Sequence, residues 1–402
     1  MTFDQACESY PSNGAGFAAA VVEGGNLQTQ YQNCDQNGRF EIGSITKVFT
    51  AILLCDAIQS GLCDLDDPVE IHLPPSLRVP TYFGRKITLR HLATHTSGLP
   101  RLPTGMYGKD IRSAQPYARW DRDRLIKGLS QTMLFRRPGS MYSYSNFGFA
   151  VLGAVLEFIH DESYGTLLQK LTLRLGCPGI RLPSGKDQEV AGYGAKGAPV
   201  QPWKFDVFAP VGAATATLPD LISFVQRCMA PIEEPGLIET MSERMTFSTR
   251  PPFGSGLPQT AVGASTAAIA TIVSPQSYYV PLYACGVAAL FGGGASGGLI
   301  ATAAWTAASI YNRAPIDVVG QRIGFGLLAT GIAVLSTSAK RKRTMGLGWH
   351  VTQLDTRDII WHNGGTAGFR SFLGIDSERG KASIVLSARA QSVDAVGLSL
   401  LR

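Results

Sequence analysis

The chain has 402 residues, a formal net charge of +6 and a charged fraction of 16%, below the ~25% usual in globular proteins. The mild basic excess forms no long stripe with interleaved aromatics, so nucleic acid is not an expected partner. The length favours two domains, or one domain with a large insertion. Seven cysteines, an odd number with no Cys-x-x-Cys pair, argue against a disulfide framework and for a reducing compartment. The first ten residues lack a basic stretch followed by an apolar one, so no secretory signal is read and a cytoplasmic or membrane-associated location is expected.

In chain order, residues 16–22 are small and apolar, Gly24-Gly25 makes a turn, and 27–31 alternate: a hairpin. An apolar helix follows Ser44 and ends near Gly61. Residues 87–99 read as a short helix entering a loop, and 122–128, 147–159 and 218–229 as helices. Strands return at 347–354, 358–362, 369–375 and 382–387. Strands at both ends and helices between them imply an α+β fold: an antiparallel sheet formed by both chain ends, flanked by helices, plus a helical lobe.

Three short motifs carry chemistry. Ser44-Ile45-Thr46-Lys47 places a hydroxyl and an amine one helical turn apart. A buried lysine loses its preference for charge and can act as a base, and a serine at a helix N-terminus lies near backbone N–H donors suited to an oxyanion. Read without context, it is more often a helix cap followed by a surface lysine. Tyr144-Ser145-Asn146 offers a phenol as proton shuttle and an amide for a substrate carbonyl. Tyr31-Gln32-Asn33 matches it equally well, but Tyr144 lies between a turn and a helix start, whereas Tyr31 ends a strand ahead of the serine. The third motif is His362-Asn363-Gly364-Gly365 on a late strand, where a glycine would let a substrate backbone lie close to the strand edge.

In this order the three resemble the serine β-lactamase and penicillin-binding-protein family, especially class C β-lactamases and related carboxypeptidases and esterases. Leu65-Asp66-Asp67-Pro68-Val69, Thr94-His95-Thr96-Ser97-Gly98-Leu99, Gly346-Leu347-Gly348-Trp349 and Gly368-Phe369-Arg370 also look like landmarks of that family. The resemblance implies a hydrolase without metal or cofactor that forms an acyl-enzyme on Ser44. Lys47 and Tyr144 would handle protons, and Asn146 would position Lys47 and the substrate. His362, Gly364 and Gly365 would line the substrate, with backbone N–H groups of Ser44 and Gly365 as oxyanion hole. His362 stands where penicillin-processing members carry a lysine. A histidine is mostly neutral near pH 7, which shifts the expectation from β-lactams towards other esters, amides or peptides. The other class of function is a catalytically silent scaffold or membrane-tethered binding protein that keeps the fold.

Two further patterns compete. Gly294-Ala295-Ser296-Gly297-Gly298 fits the Gly-x-Ser-x-Gly elbow of α/β-hydrolases, but in a Gly/Ala-rich tract without the strand and helix an elbow needs. His91 and His95 have the i, i+4 spacing of zinc ligands without a third ligand. From 251 to 312 there is no Asp, Glu, Lys, Arg or His, and 323–339 is again uncharged. Stretches of this kind approach the ~20 apolar residues that span a bilayer. A hairpin of two spans through 280–339, with the basic run 340–343 on the side of the catalytic domain, is one expectation; a soluble excursion is the other. The implied parts are 1–250 (N-terminal strands and helical lobe), 251–343 (insertion) and 344–402 (C-terminal strands). The oligomeric state is not legible. The family usually has a helix before the first strand and a long one after the last. Too few residues flank the sheet here to supply them, so one sheet face is expected to be thinly covered.

Overall fold

The computed structural model describes residues 2–106, 113–185, 190–230, 234–242, 245–249 and 341–402. A short helix α1 (Phe3–Glu8) opens the chain, its start closed by reciprocal bonds between Thr2 and Gln5. Strands β1 (Phe17–Glu23) and β2 (Asn26–Gln32) then pair as the expected hairpin, with Gly24 and Gly25 in the left-handed conformation of its turn. The short strand β3 (Phe40–Glu41) leads into a 3₁₀ turn (Gly43–Ile45) and helix α2 (Thr46–Gln59). Almost every side chain of α2 from Thr46 to Leu54 is buried, so this helix is apolar all round because it runs through the core.

The helical part continues with α3 (Leu89–Ala93), α4 (Arg122–Gln131), α5 (Asn146–His160) and α6 (Tyr164–Arg174). After these come α7 (Ala209–Gly212), β4 (Thr215–Ala216), α8 (Leu218–Met229) and α9 (Pro235–Ser242). Five of these helices carry a side-chain N-cap: Thr88, Asp121, Ser145, Ser163 and Thr217 each accept a hydrogen bond from an N–H in the first turn. The chain end supplies β5 (Met245–Thr249), β6 (Arg341–Met345), β7 (His350–Leu354), β8 (Arg357–Gly365), β9 (Arg370–Asp376), β10 (Lys381–Ser387) and helix α10 (Asp394–Leu400).

The sheet order is β2-β1-β10-β9-β8-β7-β6-β5. Its centre joins the two chain ends, β1 pairing antiparallel with β10 from Phe17↔Ser387 to Glu23↔Lys381. This is a mixed α+β fold with an antiparallel sheet, as the order of elements implied. One face packs against the helices, with α8 on β1 and β10. The other face was expected to be thinly covered. It is not: α1 and α10 lie over Phe17, Phe372 and Val385, bringing Cys7, Val396 and Leu401 into a second apolar cluster. Helices of six and seven residues are too short to show a periodicity in sequence and hold only through such packing.

The chain divides into two compact units, Met1–Phe247 with Arg343–Arg402, and Ser248–Lys342. The 294–298 elbow pattern and the membrane hairpin expected through 280–339 lie outside the described residues. Among the described residues no helix is long and apolar enough to cross a membrane. Residues 341–343 of the basic run belong to β6.

Candidate active site

The turn before α2 presents Ser44. Ile42 N–H donates to the Ala214 carbonyl at 3.0 Å, extending the β3–β4 pair, and Ser371 Oγ donates to the Ile42 carbonyl at 2.8 Å. Thr46 Oγ1 closes the turn on the Gly43 carbonyl at 2.7 Å and accepts from Ala214 N–H at 3.1 Å. Gly43 has φ +52°, the left-handed region where a side chain is strained. A Cβ there would also lie 2.5 Å from the Gly365 nitrogen. The serine turn and the end of β8 are therefore in backbone contact, and Gly43 permits it.

Ser44 is partly exposed, and Lys47, one turn along, is fully buried. Lys47 Nζ lies 2.9 Å from Ser44 Oγ and donates to the Val211 carbonyl on α7 at 2.8 Å. Helix α7 is tied to α2 in turn, since Thr50 Oγ1 bonds the Pro210 carbonyl at 2.8 Å. Tyr144 Oη donates to Ser44 Oγ at 2.8 Å, and its ring lies beside Lys47 Nζ, 4.9 Å from centroid to amine. Its segment is pinned at both flanks: Ser143 N–H donates to the His95 carbonyl at 2.7 Å, Ser145 N–H to His95 Nδ1 at 3.1 Å, and Ser145 Oγ to the Pro100 carbonyl at 2.6 Å. Because His95 Nδ1 accepts, its proton sits on Nε2. The His95 ring packs beneath the Tyr144 ring at 4.3 Å.

Burial sets the protonation states. It strips water from the Lys47 amine, the Arg101 guanidinium adds repulsion, and the pKa falls well below the lysine range. The same burial pushes the Tyr144 phenol well above its ordinary value against the opposing effect of its bond to Ser44. Both shifts favour a neutral amine beside a protonated phenol. His362 is held well below the histidine range by burial first, then by His350 and Lys47.

Ser44, Lys47 and Tyr144 thus converge, and β8 runs beside them. His362 lies on this wall, its ring 6.4 Å from that of Tyr144. Asn146 opens α5, but its amide nitrogen donates to Tyr117 Oη at 3.0 Å and its Oδ1 is buried without a partner. The second partner of Lys47 is therefore the Val211 carbonyl, where sequence had suggested Asn146. Gly364 also differs from its reading. The space a side chain would take there is filled by the Ile42 carbonyl and Ser371 Oγ, so it admits the protein's own backbone rather than a substrate's. Tyr31 lies on β2, opposite Ala18, and takes no part. His91 and His95 do not face a common ligand: His91 Nδ1 bonds Thr88 at the start of α3. Among the described residues no group of three His, Cys, Asp or Glu could hold a metal ion.

Sequence reading missed Val211, Arg101 and His350. A backbone carbonyl leaves no signature. Arg101 lies two residues past the Thr94-His95-Thr96-Ser97-Gly98-Leu99 landmark, and His350 directly follows Gly346-Leu347-Gly348-Trp349, so proximity to those segments was the available signal.

A helix-flanked antiparallel sheet with a Ser-x-x-Lys helix and a Tyr-x-Asn loop converging on one hydroxyl defines the β-lactamase and transpeptidase class of fold. A family model for beta-lactamases matches residues 3–401, and the chain belongs to that family. It is 32% identical over 190 residues to the D-alanyl-D-alanine-carboxypeptidase/endopeptidase AmpH of Escherichia coli (strain K12), covering 44% of this chain and 48% of that protein. The chain spans about half the length of these curated relatives. Its fold is shared with a beta-lactamase/D-alanine carboxypeptidase from Yersinia pestis (TM-score 0.64, 18% identity, 100% of this chain and 99% of that one). It is shared too with a class C beta-lactamase from Rhodobacter sphaeroides (TM-score 0.62, 17% identity, 99% and 97%).

Proposed function

We propose that this protein is a serine hydrolase that cleaves an ester or amide through an acyl-enzyme on Ser44. The observation that carries this reading is the pair of contacts on one hydroxyl: Lys47 Nζ at 2.9 Å and Tyr144 Oη at 2.8 Å. Ser44 Oγ attacks the substrate carbonyl carbon while its proton passes to the neutral Lys47 amine. The oxyanion is stabilised by the backbone N–H groups of Ser44 and Gly365. The first N–H groups of a helix lack partners within it, and the packing of Gly43 on the Gly365 nitrogen brings the second donor alongside. Tyr144 gives its phenolic proton to the leaving oxygen or nitrogen and takes one back from the Lys47 ammonium. The scissile bond breaks and the acyl group stays on Ser44. Water then attacks the ester with the proton transfers reversed, restoring the free hydroxyl.

Gly365, packed against the serine turn, borders the place where the substrate carbonyl would lie; Asn146 Oδ1 is buried, so it would accept a substrate N–H only after its side chain turns outward. The carboxypeptidase and endopeptidase named among the relatives favours a small amide or peptide. The neutral His362 disfavours a β-lactam whose carboxylate needs a lysine at that place.

The test is intact-protein mass spectrometry after exposure to a panel of activated esters, amides and penicillins, followed by peptide mapping. A mass gain located on Ser44 is expected. Absence of any adduct across the panel would instead favour a silent scaffold. The pH profile is a second expected outcome. Protonated Lys47 cannot accept the serine proton, so acylation should rise with pH along a one-proton limb. Burial and Arg101 lower that pKa, so the limb should end well below the ordinary lysine value of about 10.4. The raised Tyr144 pKa should carry the plateau past the ordinary phenol range. Stopped-flow acylation rates across pH check this, and a limb centred on the ordinary lysine value would contradict it.

A further inference from the structure

The walls of this site carry little positive charge where a substrate anion would meet it. His362 is buried, its Nδ1 is bound to the Asn363 carbonyl oxygen at 2.6 Å, and the His350 ring lies 4.8 Å from its own. Its surroundings hold it neutral. Lys47 is fully buried, turned onto Ser44 and Val211, and disposed to give up its proton.

Arg101 stands apart from both. It is exposed, and its guanidinium carbon lies over the Tyr144 ring, 5.1 Å from the centroid. Among the described residues no carboxylate pairs with it. Arginine keeps its charge in proteins, and stacking by one face leaves the N–H donors at the edge of the fork free. Its backbone is fixed to the start of α5 on both sides: Phe147 N–H donates to the Arg101 carbonyl at 3.1 Å, and Ser145 Oγ to the preceding Pro100 carbonyl. The arginine is thus tied to the same segment that presents Tyr144. With the phenol spanning the gap, the guanidinium carbon lies within about 11 Å of Ser44 Oγ, a reach of two to three extended residues.

We propose that Arg101 determines specificity by receiving a substrate carboxylate carried within one or two residues of the scissile bond, in place of the cation that His362 does not supply. This rests on the hydrolase reading of Ser44 and adds a substrate class to it: acyl donors with a nearby negative charge. A guanidinium fork matches a carboxylate in two parallel hydrogen bonds. The opposing reading is that Arg101 only packs on Tyr144.

The experiment compares 4-nitrophenyl hydrogen glutarate with 4-nitrophenyl pentanoate, which have the same acyl length and differ by one carboxylate. The readout is the ratio of their kcat/KM values, so a general effect of the substitution on Tyr144 cancels. Arg101→Gln should lower the anionic-to-neutral ratio by about tenfold to a hundredfold, the range for a hydrogen bond to a charged group. Arg101→Lys should restore part of it. A ratio within twofold of the unaltered protein in Arg101→Gln would overturn the proposal. A second arm uses Ser44→Ala, which cannot form an acyl-enzyme, and measures calorimetric binding of glutaranilic acid and pentananilide. The acid should bind more tightly, and adding Arg101→Gln should remove that difference; equal binding before the second substitution would overturn the proposal. Arg101-dependent binding of the acid in a protein whose Ser44 is never acylated would sink the hydrolase reading alone. Acylation with a ratio indifferent to Arg101 would sink this proposal alone.

Discussion

Lys47→Met is expected to slow Ser44 acylation by about 10³–10⁴-fold, near the upper range for loss of a positioned general base, with little change in thermal stability. The two halves of this expectation have separate causes. The catalytic loss follows because no other proton acceptor among the described residues is bonded to Ser44 Oγ: its partners are Lys47 Nζ and the phenol of Tyr144, whose raised pKa keeps it protonated. Stability is set by two opposed effects. Methionine leaves the Val211 carbonyl without its donor, costing about 1–3 kcal/mol. It also removes a buried amine whose desolvation costs a comparable amount or more. Burst kinetics with an activated ester and a calorimetric melt check the pair. Lys47→Arg separates base from charge: it keeps a cation that cannot deprotonate, so it should be as slow as Lys47→Met. Substantial acylation by the arginine variant would remove Lys47 from the role of base.

The parts of this site legible in sequence are those set by local geometry. The i, i+3 spacing of Ser44 and Lys47 fixes their meeting once the helix forms, and Tyr144 was distinguishable from Tyr31 by the turn and helix around it. What was not legible depends on chain far away in sequence. The Val211 carbonyl reaches Lys47 because α7 packs on α2 through Thr50 and Pro210. Asn146 was expected to help position Lys47 and the substrate, but its amide nitrogen donates to Tyr117. The sheet was readable because its strands alternate or run apolar, whereas α1 and α10 were too short to show a period. Their presence over Phe17 and Phe372 answers the doubt about an exposed sheet face.

Gly364→Ala is expected to be the most damaging change to any glycine of the His362-Asn363-Gly364-Gly365 segment. A methyl at 364 would overlap the Ile42 carbonyl oxygen and Ser371 Oγ, and those two atoms are already joined by the bond that fixes the serine turn to β9. Neither can retreat cheaply. Ile42 N–H is held by Ala214, and Ser371 belongs to a strand paired with β8 at Gly364↔Ser371. Overpacking of this kind costs about 1–3 kcal/mol, read as a lower denaturation midpoint in urea. The displaced strand would also carry Gly365 away from Gly43. Losing one oxyanion donor costs about 10²–10³-fold in rate, so kcat should fall by that factor in the fraction that remains folded. Gly365→Ala is the contrasting variant. Its added methyl would first meet a side chain rather than backbone: Arg370 Nη1 at 3.2 Å, itself bonded to the Thr366 and Phe369 carbonyls. If the contact between the serine turn and β8 is what holds the oxyanion donors together, alanine at 365 should be tolerated far better than alanine at 364. Equal tolerance of the two would show that this contact does not govern the site. Denaturation and acylation measured on both variants decide between these outcomes.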